Sequence, residues 1–301
     1  MTRLVFIHGI NQQARSEDAI RDECLAALRA EGWRGKSWPG EAISEVRAPF
    51  YGDRLFALTE TKPHVQAIAQ GSEEPADDFA EFADAALEQM ARRIAPDAPE
   101  WQSGAPVPQG AGVHKRSVKA IVRLLERVSP WHGEGALNVL AQAHAYLMRP
   151  NVGDEIDEIV RPILRSDEPT IVVAHSLGTI VTYKLLQEFE QIESSGPVPL
   201  LVTLGSPLGV DIIRKRFAVP RKRPAQVERW FNGADPADFV ALRPILDKAS
   251  FGSGIENIDG IANGYDDPHS IVDSLRHHRV GALIAAGVVG AGAAAHGAGK
   301  L

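Results

Sequence analysis

The chain has 301 residues, 44% of them hydrophobic and 24% charged, and its 39 acidic against 32 basic side chains leave a net charge of −7. Such a composition is ordinary for a soluble globular protein with a large core, and the acidic balance argues against general nucleic-acid binding. The single cysteine, Cys24, excludes an intramolecular disulfide and fits a reducing compartment.

Met1-Thr2-Arg3 runs directly into the apolar Leu4-Val5-Phe6-Ile7, too short a run for a secretory signal, so a cytoplasmic protein is expected. Leu4 to Ile7 reads as a buried strand, followed by His8-Gly9-Ile10-Asn11. Gly9 allows the backbone to approach a reaction centre, and the N–H of Ile10 can point into it. His8 reads as a brace for this loop rather than a general base. Asn11, Gln12 and Gln13 read as a solvated turn, with contact to a substrate as the other possibility. Residues 16 to 31 form an amphipathic helix that Ser16 can cap, with Ala19, Ile20, Leu25 and Leu28 on its apolar side. Cys24 lies in this helix as a buried structural thiol. Ile43 to Phe50 is the next strand, and the strand–helix–strand order implies a parallel βαβ unit.

From about residue 55 to 152 the sequence offers helical patterns and no convincing strand. Phe79, Phe82, Leu87, Met90 and Ile94 fall mainly on one face of a helix over 77–94, and further helices are expected over 117–128 and 136–148. The Pro- and Gly-rich segment 96–112 reads as a mobile loop. A helical insertion between two strands of a parallel sheet is well placed to serve as a cap or lid; covering the sheet is the plainer role, and both can hold. Residues 152 to 164 form another helix, with a kink or restart expected at Pro162.

The segment Thr170-Ile171-Val172-Val173-Ala174-His175-Ser176-Leu177-Gly178 carries the most chemistry. Its β-branched apolar run is a strand buried on both faces. After Ser176, the residues Val181, Leu185, Leu186 and Phe189 follow helical spacing. Strand, sharp turn on a serine, then helix is the nucleophile elbow, which holds the serine strained at the strand end with its hydroxyl clear of the sheet. Small flanking residues are required because strand and helix approach closely. Ala174 stands where this motif usually has glycine, and His175, between it and the serine, is expected with His8 and Gly9 to support the active-site loop. The N–H of Leu177 is placed to act with that of Ile10 as an oxyanion hole.

Leu200 to Leu204 is a further buried strand, ending at Gly205-Ser206; Ser206 lacks an elbow and is rejected as nucleophile. The basic cluster Arg214-Lys215-Arg216 and Arg221-Lys222-Arg223 reads as a solvated loop, with an anionic head group as the rival partner. Residues 227 to 231 form a strand leading to two carboxylates, Asp235 and Asp238. Residues 255 to 258 are a candidate last strand, and Asp266-Asp267-Pro268-His269-Ser270 opens a helix. The Ala/Gly-rich tail beyond residue 280 reads as a helix packed on the body, with weak membrane contact as the alternative. No internal repeat and no metal-ligand spacing is visible.

These signatures, His8-Gly9 after the first strand, Ser176 in its elbow and a late His269 preceded by carboxylates, stand in the order Ser, Asp, His. The sequence resembles the α/β-hydrolase superfamily and, within it, bacterial lipase- and esterase-type proteins, over roughly residues 3–54 and 153–280. The resemblance implies an α/β fold with a mostly parallel central sheet flanked by helices, lacking the family's first two strands. It implies a core over 1–54 and 153–280, a helical cap over 55–152, and a tail over 281–301. It also implies Ser176 as nucleophile, His269 as base, Ile10 and Leu177 as oxyanion donors, and no cofactor. For the acid, Asp238 is preferred over Asp235, because Asp-x-Val places an apolar residue shortly after the carboxylate, as the resembled families often do. The expected activity is cleavage of carboxylic esters, lipid-like or acyl, through an acyl-enzyme. A thioesterase or peptidase would use the same residues, and a non-catalytic binding protein on the same scaffold is the rival from another class.

Overall fold

The computed structural model describes residues 1–30, 38–59, 67–68, 76–94, 130–192, 196–264 and 266–298. Its centre is one sheet of six strands: β1 (Thr2–Ile7), β2 (Ile43–Arg47), β3 (Thr170–His175), β4 (Val198–Leu204), β5 (Val227–Gly233) and β6 (Glu256–Ile258). All neighbours pair in parallel, in the order β2-β1-β3-β4-β5-β6. The helices are α1 (Glu17–Ala30), α2 (Gly52–Thr59), α3 (Asp77–Ile94), α4 (Pro130–Met148), α5 (Pro150–Leu164), α6 (Leu177–Gln191), α7 (Asp211–Arg214), α8 (Ile271–Arg276) and α9 (His278–Ala298).

The period-two alternation of the strands assigns the two faces. Val5, Ile7, Val172, Ala174 and Leu201 pack with residues of α2 to α6 in one continuous hydrophobic cluster. Leu4, Phe6, Ile171, Val173 and Leu200 pack on the other face with α1, α8 and α9. Both faces are covered, which is why these strands are runs of apolar residues rather than alternating ones. The connection after β1 passes through α1 on one face, and the chain returns to β3 over the other. The strand order therefore reverses between β1 and β3, the place where parallel sheets open a crevice at their carboxyl ends.

Register brings those ends level. Ile7 pairs with Ala174, His175 with Leu204, Leu204 with Gly233, and Gly233 with Ile258. The loops that leave this edge carry His8 to Ile10, Ser176, Gly205, Asp235 to Asp238 and His269.

Several details depart from the sequence expectations. Strand β2 stops at Arg47 rather than Phe50, because Glu17 of α1 accepts the Ala48 N–H at 3.2 Å and draws the chain off the sheet. Helix α5 runs through Pro162 without a restart; the proline lies in the last turn, which closes with Arg165 N–H on the Arg161 carbonyl at 2.8 Å. The helix near His269 begins at Ile271, with Ser270 as its cap. Helix α4 begins at Pro130, six residues earlier than the 136–148 expectation. The expected loop over 96–112 and helix over 117–128 lie outside the described residues. Among the described residues the 55–152 insertion is helical, and its core is the same cluster that fills one face of the sheet.

A buried polar node joins the insertion to the sheet-covering helices. Asp157 of α5 accepts the Tyr146 hydroxyl of α4 at 2.6 Å and pairs with Lys184 of α6 at 2.6 Å, while the Lys184 ammonium sits 5.0 Å from the Tyr146 ring centre. In the tail, Val280, Ile284 and Val288 of α9 are buried against Ile171 and Leu200, so the apolar stripe of that helix is spent on the sheet. Among the described residues no helix is long and apolar enough to cross a membrane.

Candidate active site

Ser176 is the hinge between β3 and α6, with φ 52° and ψ −125°. That backbone conformation is unfavourable for an L-residue and costs on the order of 1–3 kcal/mol, so it persists only where its surroundings enforce it. Enforcement comes from both sides. Ser176 N–H donates to the Leu204 carbonyl at 3.1 Å, and Thr179 returns its N–H and hydroxyl to the Ser176 carbonyl at 2.9 and 2.7 Å. A β-carbon on Gly178 would lie 2.4 Å from the Ile7 carbonyl oxygen, so only glycine lets α6 start this close to β1.

The state of the hydroxyl sets Ser176 apart. A serine preceding a helix normally caps it by accepting a backbone N–H. Ser206 does so for Leu208 at 3.3 Å, with Thr179 Oγ1 a further partner at 2.9 Å, and Ser270 does so for Asp273 at 3.1 Å. Ser176 caps nothing; its Oγ is buried and has no hydrogen-bond partner among the described residues. The two serines that sequence composition makes comparable, Ser176 and Ser206, are thus separated by what their hydroxyls do.

His269 approaches from the loop after β6. Its Nδ1 donates to Asp238 Oδ2 at 2.8 Å, and its Nε2 is buried with no partner among the described residues. Burial alone would depress the His269 pKa, but the Asp238 charge and hydrogen bond, with Asp267 in support, hold it above the usual imidazole value of 6.5. Asp238 is 1% exposed, and its other oxygen accepts the N–H groups of Val240 and Ala241 at 2.8 and 3.1 Å. Asp235 is engaged elsewhere: its oxygens accept Ala237 N–H at 2.7 Å and Asn263 N–H at 2.6 Å. The two carboxylates left open by the sequence therefore separate into one that holds a histidine and one that holds a turn.

Gly9 packs directly on the serine: a β-carbon there would be 2.8 Å from Ser176 Cβ and 3.3 Å from its Oγ. Gly9 thereby brings the backbone of the β1 loop, which continues into Ile10, against Ser176. As the first residue of α6, Leu177 has no intrahelical acceptor for its N–H. His8 braces the loop. Its Nδ1 donates to the Gly9 carbonyl at 2.7 Å, its Nε2 accepts Tyr51 N–H at 3.2 Å, and its ring stacks on Tyr51 at 3.8 Å. Burial pushes its pKa down to about 4, so it stays neutral in this tautomer. His175 donates from Nε2 to the His269 carbonyl at 2.8 Å, and its ring lies 4.6 Å from that of His269. Burial, with His269 nearby, keeps its pKa well below the usual value, so it links the elbow to the histidine loop as a neutral group.

Three contributors were not singled out by the sequence reading. Gly205, with φ +55°, lies under the His–Asp pair; a β-carbon there would be 2.9 Å from His269 Nδ1 and 3.0 Å from Asp238 Oδ2. The available signal was its position directly after the strand next to the elbow. Asn138 of α4 donates to Asn11 Oδ1 at 2.7 Å, so Asn11 binds the insertion rather than lying in a wholly solvated turn. Arg93 of α3 donates to carbonyls of the Asp238 loop. His175 was expected to support the loop, but not to grip His269.

The remaining sequence candidates are structural. Arg214 and Arg221 of the basic cluster donate to the Ala249 and Phe251 carbonyls, both at 2.9 Å, and Lys222 pairs with Glu190 at 2.9 Å. Burial pushes the Cys24 thiol up to about 12, far from a reactive thiolate.

An uncommitted hydroxyl in a strained strand–helix turn and a carboxylate-paired imidazole thus meet at the carboxyl edge of a parallel α/β sheet. Serine Oγ and histidine Nε2 make no hydrogen bond to each other, a contact that active sites commonly hold loosely and tighten on reaction. The arrangement can deliver a nucleophile and a proton acceptor. Comparison with protein-family models gives no match, and a search of curated proteins gives none.

Proposed function

We propose that the chain is a serine hydrolase of carboxylic esters, related to the α/β-hydrolases. The observation that carries this reading is the uncapped, buried Ser176 hydroxyl in its positive-φ turn, beside a His269 whose Nδ1 is held by Asp238 at 2.8 Å. In the reaction, Ser176 Oγ attacks the ester carbonyl carbon while its proton passes to His269 Nε2. The carbonyl oxygen becomes an oxyanion facing the Ile10 and Leu177 N–H groups. Collapse breaks the C–O bond, and the departing alcohol takes the proton from His269, leaving an acyl-serine. Water then attacks the acyl carbon, giving its proton to His269, and the acid leaves as Ser176 is reprotonated. Asp238 orients the imidazole and stabilises its charged form.

The expectation of an apolar acyl group rests on the helical insertion bordering the site, where α4 reaches the Asn11 turn and sets Gly135 against Phe239 in the Asp238 loop. The tail gives no such support, because its apolar stripe lies on the sheet. A fluorophosphonate probe should label the wild-type chain and fail on Ser176→Ala, and turnover of nitrophenyl esters should fall by about 10⁴–10⁶. A chain-length series of those esters defines the acyl group. Wild-type turnover in Ser176→Ala would sink the mechanism.

A further inference from the structure

Residues 235–242 connect β5 to the rest of the acid loop with their N–H groups turned inward. Ala237 donates to Asp235, Asp238 to the Asp235 carbonyl, and Val240 and Ala241 to the Asp238 carboxylate. Two carbonyls of this loop are taken from outside by one side chain. Arg93, one residue before the end of α3, donates from Nη2 to the Pro236 carbonyl at 2.7 Å and from Nη1 to the Leu242 carbonyl. These acceptors stand on either side of Asp238. The guanidinium is partly buried, and among the described residues no carboxylate pairs with it. Arg92, its neighbour in sequence, makes instead an ordinary exposed pair with Glu88 one turn earlier. Helix α3 is tied down independently by Gln89, whose Oε1 accepts Asp211 N–H at 2.9 Å.

We propose that Arg93 is a positioning residue: it clamps the loop that carries Asp238, and so lets the helical insertion set how firmly Asp238 holds His269. The role of the pair in ester hydrolysis rests on the function proposed above; the clamp itself does not. The chemistry suits arginine in particular. Its planar fork spans two acceptors with fixed geometry, whereas a lysine ammonium is a point donor that serves one acceptor well. Asp238 Oδ1 is already fixed by two N–H groups of its own loop, so its remaining freedom is that of the loop as a whole. Arg93 removes that freedom. Its positive charge also faces the Asp238 carboxylate, whose field opposes the effect of burial on the guanidinium.

The ionisable groups facing His269 are Asp238, Asp267 and the neutral His175. Of the influences on its pKa, burial acts downward and the two carboxylates act upward. Loosening Asp238 weakens its hydrogen bond, so burial gains and the His269 pKa falls. Loss of the Arg93 charge alone would do the opposite, leaving the Asp238 field less screened and the His269 pKa higher. The sign therefore distinguishes a clamp from a screening charge, and a purely structural residue would move neither.

The test is NMR titration of the His269 ring in the full chain carrying labelled histidine, for wild type, Arg93→Gln, Arg93→Lys and Asp238→Asn. Asp238→Asn sets the scale for complete loss of the pair. Arg93→Gln should shift the His269 titration downward, part of the way to Asp238→Asn, and Arg93→Lys should shift it less. In parallel, kcat for a nitrophenyl ester should fall about 10- to 100-fold in Arg93→Gln with KM nearly unchanged, as expected for sub-ångström misplacement of a reacting group, and Arg93→Lys should recover part of it. An unmoved or upward His269 titration in Arg93→Gln overturns the proposal. Should Arg93→Gln fail to fold, Arg93→Lys decides alone, since a wild-type titration there also overturns it. Because the titration needs no substrate, a downward shift in a chain that hydrolyses no ester would leave the clamp standing and remove the hydrolase reading.

Discussion

Gly205→Ala should disable the site out of proportion to its effect on the fold. The added β-carbon would lie 2.9 Å from His269 Cε1 and Nδ1 and 3.0 Å from Asp238 Oδ2. Comfortable carbon contacts begin near about 3.5 Å, so the ring and carboxylate must retreat by roughly 0.5 Å or more. The Asp238–His269 bond of 2.8 Å cannot follow both shifts. Misplacement on the scale of 1 Å costs about 10²-fold in rate. The left-handed φ of +55° adds a backbone penalty of about 1–2 kcal/mol. Gly260→Ala isolates that second cost: Gly260 has φ +74° and nothing within 4 Å of its virtual β-carbon. Urea unfolding should therefore show the backbone cost alone in Gly260→Ala and that cost plus the overpacking in Gly205→Ala, while kcat/KM for a short nitrophenyl ester falls about 10²-fold in Gly205→Ala alone. Equal activity in the two variants would refute the reasoning, because the wedge against His269 would then have no consequence.

The other expectations concern the acid, the pH response and the tail. Asp238→Asn should lower turnover by roughly 10⁴-fold with the fold retained, whereas Asp235→Asn should chiefly lower the unfolding midpoint, since its oxygens hold Ala237 and Asn263; the reverse outcome in side-by-side assays reassigns the acid. Ester hydrolysis should decline as pH falls through the His269 pKa, above 6.5 in the wild type, and Asp238→Asn should move that limb downward. Stability should decline in the same direction, through other histidines. The His8 pKa is lowered from 6.5 to about 4 on folding, so its contribution is complete above 6.5 and shrinks as pH falls towards 4. Between pH 7 and 5 this group alone removes about 2 kcal/mol. His175 acts in the same direction and His269 against it, and denaturant titrations at the two pH values that coincide would contradict the assignment. Deleting residues 280–301 should destabilise the chain severely, because Val280, Ile284 and Val288 each contribute about 1.5–3 kcal/mol of burial; flotation of the full chain with liposomes would show that the helix has a second use.

How much of this was legible follows from the range of the interactions. The elbow is local: a β-branched strand, small residues and helical spacing lie within twenty residues, and the sequence displays all of them. The preference for Asp238 was nearly local. Asp-x-Val singled it out, and in the structure the Val240 N–H bonds this carboxylate while the Val240 side chain is buried. Arg93 and Asn138 were not legible, because their partners lie 149 and 127 residues away and nothing in either helix says which loop it will meet. The end of β2 depended on a side chain of α1, and the smooth passage of α5 through Pro162 on that residue's place in the final turn. Gly205 was visible as a glycine after a strand, but its purpose depended on a histidine that arrives 64 residues later from across the sheet.

The Tyr146–Asp157–Lys184 node bears on how the molecule comes apart. Asp157 is buried while Lys184 is partly exposed, so solvent screens the ionic attraction, and the larger loss on removing Asp157 is that the Tyr146 hydroxyl and the Lys184 ammonium lose their shared acceptor. Here the ionic partners belong to the helix before β3 and the helix after it, and the tyrosine belongs to the insertion. With hydrophobic packing also continuous across that boundary, α4 has no separate opening transition of modest free energy. Amide protons of α4 should then exchange by the same global unfolding as those of α5 and α6, so that the last helix of the insertion shares the core's fate under heat, denaturant and protease alike.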